Sequence, residues 1–163
     1  MTQEIAASMM IALAVVLLGL TWWGWRNRRA RFSHLEGALV HTLPSSRSLL
    51  DFSGLYVATT LADQPMNRVP VGPLSFRAKA AFSVHPEGLV LGAQGENPVM
   101  LSSPGGLQAG LATWTIDRVV EPEGLVMIRW RLGDTAVDSY LRIVESESAS
   151  VIDTINSLRK GSS

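Results

Sequence analysis

The 163-residue chain contains no cysteine. That excludes disulfides, thiolate-ligated zinc, iron–sulfur clusters and a cysteine nucleophile. It also lacks a charge excess of either sign, since 14 basic residues face 14 acidic ones and the pI is near 6.8. A dedicated nucleic-acid binder displays a basic surplus, so no nucleic-acid partner is expected. Aromatic residues are few, at 7%, and histidines number only three. No glycine-rich phosphate cradle opens a helix and no G-x-S-x-G elbow occurs; Gly105, Gly106 and Gly110 fall between expected strands. The length suits one domain with an appendage and excludes a large multidomain enzyme.

What is present is unevenly distributed. From Ile5 to Trp25, 21 residues pass without a charge. As a helix they span roughly 31 Å, the thickness of a hydrocarbon core. Eight of them are Ile, Val or Leu, which together contribute roughly −2 to −5 kcal/mol to insertion and outweigh Ser8 and Thr21. A cleaved signal peptide is the competing reading, but Met1 to Glu4 carry no Lys or Arg, and the run ends in Trp22, Trp23 and Trp25 instead of small residues. The tryptophans are the expected interfacial belt. Arg26, Arg28, Arg29 and Arg31 follow as a basic collar, with only Glu4 on the opposite flank. The positive-inside rule then predicts a single-pass protein of the cell membrane, its N-terminus outside and its C-terminal part cytoplasmic, with membrane lipids contacted through the helix.

The neutral total is therefore a cancellation. The first 31 residues hold four arginines against one glutamate, net +3, and the rest hold ten basic against thirteen acidic residues, net −3. The expected organisation is a short tail over residues 1–4, a transmembrane helix over 5–25, a basic juxtamembrane connector over 26–53, a folded domain over 54–160 and a tail over 161–163. In the connector, Pro44, Ser45, Ser46 and Ser48 interrupt Leu39-Val40 and Leu49-Leu50, and part of it is expected to lie against the domain.

Beyond the connector, short apolar runs alternate with turn residues, as in an antiparallel all-β domain. The expected strands are Leu55–Thr60, one from Ala78 with Ala80, Phe82 and Val84 on one face, Leu89–Leu91, Val99–Leu101, Trp114–Val120, Leu125–Leu132 and Thr135–Val144. Pro65, Pro70 and Pro73 withhold backbone donors, so the stretch that carries them is expected to be a loop. His85-Pro86-Glu87-Gly88, Glu121-Pro122-Glu123-Gly124 and Gly133-Asp134 supply turns. The pentapeptide Pro86–Val90 recurs as Pro122–Val126, one hairpin chemistry used twice. The period then changes: Val151, Ile152, Ile155 and Leu158 share one helical face, Ser150 and Asp153 have capping-box spacing, and Arg159, Lys160 and Gly161 suit the end. The fold class is mainly β: after the transmembrane helix, a pleckstrin-homology-like seven-stranded antiparallel barrel capped by a C-terminal α-helix.

These residues resemble a known family, the small actinobacterial single-pass membrane proteins with a bacterial pleckstrin-homology-like domain, of the type encoded in pyrimidine-biosynthesis operons. The resemblance runs through Tyr56-Val57-Ala58-Thr59-Thr60, Arg68-Val69, Leu74, Arg77, the Val84–Gly88 turn, Gly124-Leu125 leading to Trp130, Gly133, Asp138 and Tyr140-Leu141-Arg142. Where the family pattern has an aromatic and an acidic residue before Arg68, this chain has Met66 and Asn67. The resemblance implies fold and topology and no established activity.

Candidate chemistry is sparse. His34 and His41 fall in the connector and His85 in a turn, positions of solvated histidines; a metal site there would need carboxylates from elsewhere. Glu121 and Glu123 flank an exposed turn, without the dry pocket that tunes a general acid. Trp114 and Trp130 read as core. Arg68, Arg77 and Lys79 straddle the long loop and are the candidate anion- or partner-binding residues, as in lipid-binding members of the pleckstrin-homology fold. The expected function is a membrane-anchored, non-catalytic interaction or scaffold module with a protein partner, without catalytic, metal or cofactor residues. An accessory role in transport or export, or weak anionic-lipid binding, is the alternative.

Overall fold

The computed structural model describes residues 2–102, 104–112, 114–115, 118–119, 125–144 and 146–160. It divides into two compact units, Met1–His34 and Leu35–Ser163.

The first unit belongs to helix α1, Thr2–Glu36. The helix continues past Trp25 because Arg26–Glu36 contains neither proline nor glycine and is rich in arginine, a good helix former. It stops where Gly37 follows, in a tightened turn with Ala38 N donating to Leu35 O at 3.1 Å and Leu39 N to Glu36 O at 3.3 Å. The arginine collar is therefore helical, and the irregular part of the connector begins only after it.

The second unit is an antiparallel sheet with a C-terminal helix. Its strands are β1 (Leu50–Leu61), β2 (Gln64–Arg68), β3 (Ala78–His85), β4 (Gly88–Ala93), β5 (Val99–Leu101), β6 (Gln108–Leu111), β9 (Val126–Leu132) and β10 (Thr135–Ile143); β7 (Trp114–Thr115) and β8 (Arg118–Val119) pair only with each other. The sheet order is β5-β4-β3-β1-β10-β9-β6, with β2 added to the end of β1. Strand β1 is thus the hub. It pairs with β3 over Leu50–Tyr56, with β10 over Gly54–Leu61 and with β2 at Thr60 and Leu61.

Four local expectations change. Strand β1 begins at Leu50 instead of Leu55, because Phe52 lies opposite Phe82 and stacks on it at 5.0 Å. Ser53-Gly54 reads as a break in propensity, but a Cβ on Gly54 would run into the Arg142 carbonyl of β10, so the glycine permits the close approach of two strands. The proline-bearing stretch holds a short strand after all: β2 contains Pro65, tolerated on a strand exposed over Gln64–Met66 that pairs with β1 at its two ends. Strand β6 was hidden by Gly110 and by its length of four residues. The run Trp114–Val120 folds back as β7 and β8 instead of forming one strand, and the turn expected at Glu121–Gly124 lies outside the described residues.

The core between sheet and helix is apolar, with Tyr56, Phe82, Leu89, Leu91, Leu101, Ile128, Leu132 and Leu141 almost fully buried. Helix α2 (Ser148–Lys160) closes it with Val151 and Ile155, both at 0% exposure. It starts two residues before Ser150, whose carbonyl accepts from Thr154 Oγ1 at 2.8 Å inside the first turns, so Ser150 is not the N-cap. Asn156 holds the helix to the sheet: its amide accepts from Ala109 N and donates to Ala109 O, both at 2.9 Å.

Candidate functional site

Every side chain from Glu4 to Asn27 is exposed. A core helix of a soluble protein would bury one face, and this one buries none over that span. It is the one helix among the described residues that is long and apolar enough to cross a membrane. Its two interior hydroxyls are satisfied within the helix: Ser8 Oγ donates to Ile5 O at 2.9 Å, and Thr21 Oγ1 lies 3.0 and 2.8 Å from the carbonyls of Leu17 and Leu18. That arrangement lowers the cost of putting a hydroxyl into hydrocarbon. Trp22, Trp23 and Trp25 are all more than half exposed, and the Arg26 guanidinium lies 5.6 Å from the centre of the Trp22 ring, within cation–π range. Arg31 is exposed; the side chains of Arg28 and Arg29 lie outside the described residues.

The three basic residues picked out in the domain separate. Arg68 is half-buried on β2, and its guanidinium donates to Val57 O at 3.2 Å. Val57 is the residue skipped by the β1–β10 register between Tyr56 and Ala58, so Arg68 satisfies the carbonyl at a bulge. Lys79 is exposed on the outer face of β3, opposite Leu55, and Arg77 stands exposed two positions before it. A residue that the sequence did not single out for binding joins them: Arg142 of β10 is exposed and pairs with Leu55 from the other side. Lys79, Leu55 and Arg142 therefore form one row across three strands. Below the row, an open cleft of ≈ 520 Å³ is lined by Ser53, Leu55, Lys79, Ala81, Gly92 and Val144 among others, and no carboxylate lines it among the described residues.

Most interior polar groups are committed to the fold, although the buried Thr60 hydroxyl has no hydrogen-bond partner among the described residues. Trp130 Nε1 donates to Ser139 Oγ at 2.9 Å, Ser139 Oγ lies 2.6 Å from Thr59 Oγ1, and Tyr56 Oη lies 2.8 Å from Thr59 Oγ1 and 3.1 Å from Leu74 O. The phenol has one proton and the Leu74 carbonyl can only accept. The whole set is satisfied when each hydroxyl donates onward, from Trp130 through Ser139, Thr59 and Tyr56 to Leu74 O. Burial raises the Tyr56 phenol well above the ordinary tyrosine range, so it stays protonated and keeps this role.

A second polar group sits on the strand ends. Arg129 meets Asp138, its cross-strand partner, through Nε at 2.7 Å and a terminal nitrogen at 2.9 Å, and the same nitrogen reaches Asp63 at 2.8 Å. Hydrogen bonds to Asp138 first and Asp63 second raise the Arg129 pKa further above its already high value. Asp63 takes a left-handed φ of 61° in the turn between β1 and β2, so the guanidinium ties that turn to the β9–β10 hairpin.

His85 is also spoken for. Its Nδ1 lies 3.0 Å from Ser46 O, while Ser46 Oγ donates to Glu87 Oε2 at 2.5 Å. The Ser46 hydrogen bond holds the Glu87 carboxyl below the ordinary glutamate range, and hydrogen bonds from Ser48 and then Ser83 do the same for Asp51. These contacts pin the connector to the β3–β4 hairpin. Further along, Leu49 N donates to Val84 O and Met100 N to Val40 O. No cluster of three or more His, Cys, Asp or Glu residues able to hold a metal occurs among the described residues.

A mainly β domain with an antiparallel sheet wrapped from a hub strand and closed by a C-terminal helix is the pleckstrin-homology-like class. The bacterial PH domain-like family model matches residues 39–156, and the chain belongs to that family. No curated protein matches it.

Proposed function

We propose that the chain is a single-pass membrane protein whose pleckstrin-homology-like domain serves as a non-catalytic interaction module on the cytoplasmic side. One observation supports the non-catalytic part: among the described residues the buried Trp130–Ser139–Thr59–Tyr56 chain ends on a backbone carbonyl and the buried Asp138 is held by the Arg129 clamp, so these groups are engaged in holding the fold. Family membership supports the same reading, since the fold is used for binding. The anchor rests on the fully exposed apolar helix and on the arginines that follow it. The partner of first choice is another protein. The resemblance to proteins of pyrimidine-biosynthesis operons makes the enzymes of that process the first candidates to check.

Two experiments test this. With no native cysteine, Thr2→Cys should react with an impermeant maleimide in intact cells and Gly161→Cys should not; the reverse pattern refutes the orientation. Photo-crosslinking in the membrane from a probe at Leu111, exposed on the edge strand β6, should give a discrete protein adduct, and its absence argues against protein docking there.

A further inference from the structure

The outer face of β3, β1 and β10 differs from the rest of the domain. The chain beyond residue 31 is acidic overall, net −3, yet Arg77, Lys79 and Arg142 are exposed here and none is in an ion pair among the described residues. Lys79 and Arg142 flank Leu55 in one row. The next row holds Ala81 and Ser53, and beyond Ser53 lies Val144, 66% exposed, whose amide donates to Ser53 O at 3.3 Å. Phe76, immediately before Arg77, is 77% exposed. The nearest acid on this face, Asp51, already accepts from Ser48 Oγ at 2.8 Å. Unpaired cations interleaved with exposed apolar groups are what an anionic lipid–water interface takes.

Chain length favours the same occupant. The apolar run ends at Trp25, α1 continues as helix to Glu36, and Leu35, 3% exposed, already belongs to the domain unit. Ten helical residues measure about 15 Å. A domain tethered so closely meets the lipid surface at an effective concentration that a free partner would have to match.

We propose that the face bearing Arg77, Lys79 and Arg142 docks on the anionic lipid surface of the membrane that α1 enters. This rests on the anchoring reading above and places the contact on the sheet face instead of on the β2 loop, where Arg68 is engaged with Val57. Each cation near such a surface is worth about a fivefold gain in partition, so three give about a hundredfold, screened by salt.

The test uses the full chain in vesicles of phosphatidylcholine, with or without phosphatidylglycerol, carrying a fluorophore at Ala81→Cys or, as a control, at Asp153→Cys on α2. In anionic vesicles at low salt, the Ala81 label should be quenched by a nitroxide-headgroup lipid and shielded from acrylamide, while the Asp153 label stays open. In neutral vesicles both should stay open. Replacing Arg77, Lys79 and Arg142 by glutamine should lower the ratio of docked to free domain about a hundredfold, and high salt should act in the same direction. Equal shielding in neutral vesicles, or shielding that survives the triple substitution, overturns the proposal. So does an Ala81 label that stays open to lipid but is shielded by added polyglutamate, which would give the face to an acidic protein. Retention after a carbonate wash reads the anchor separately: retained chain with Ala81 open overturns the face alone, and chain that washes out overturns both.

Discussion

Arg129 holds two carboxylates of very different exposure, and the difference sets what each is worth. The Asp138 side chain is 4% exposed and that of Asp63 80%. Replacing Arg129 by methionine strands a buried carboxylate, which costs about 3–5 kcal/mol. Asp63→Asn removes only a solvated contact, for less than about 1 kcal/mol. Denaturant midpoints of the two variants should therefore differ clearly, and equal midpoints would show that the clamp does not hold the turn. Gly54→Ala is the matching steric test. The added methyl meets the Arg142 carbonyl, so a loss of about 1–3 kcal/mol is expected where strand propensity alone predicts a gain. Neither result is visible in the sequence, because Gly54 meets a carbonyl 88 positions away and the burial that makes Asp138 costly to strand, nine positions from Arg129, is a property of the folded sheet. Arg129 shows the point well: alternation puts it on the outer face of its strand, and only the fold supplies its two acids.

At the scale of elements, Asn156 joins α2 to an otherwise weak edge strand. Truncation to alanine removes two hydrogen bonds, about 1–3 kcal/mol, and exchange of the Ala109 amide should accelerate by at least tenfold while amides of β3 stay protected. The connector's attachment should depend on acidity. The Glu87 carboxyl is held below its ordinary range in the folded chain, so its hydrogen bond from Ser46 contributes above the ordinary glutamate pKa and is lost as pH falls through the lowered value. A fluorophore at Ser45→Cys should loosen only in that acid window, and Glu87→Gln should remove the pH dependence. Elements with strong periodicity, such as β3, β9, β10 and α2, were legible in the sequence. β6 was not, because four residues that include Gly110 carry no readable alternation. The start of β1 was missed because Ser53-Gly54 looks like a turn until the approach of β10 is known.

For the whole molecule, the separation into two units predicts that a chain beginning at Leu35 folds alone. Its circular dichroism should be that of the β domain, and it should stay in solution, whereas the full chain should partition into detergent. The long apolar helix was the most legible feature of all, since 21 uncharged residues in a row need no tertiary information. The candidate site was legible only in part. Composition pointed to Arg68, Arg77 and Lys79, and the sheet register replaced Arg68 with Arg142, which lies 63 residues beyond Lys79.

The hub position of β1 also sets an order in time. Its pairing with β3 joins residues about 30 positions apart, whereas its pairing with β10 joins Gly54 to Ile143, 89 positions later. At the usual pace of synthesis that interval lasts on the order of ten seconds. Once β3 is made, β1 has one neighbour in hand and one edge open, with Tyr56 still without Ser139 in its hydrogen-bond chain. A half-built sheet of this kind is the species most exposed to wrong pairing, so variants that weaken the β1–β3 contact should lower the yield of folded protein more than they lower its final stability.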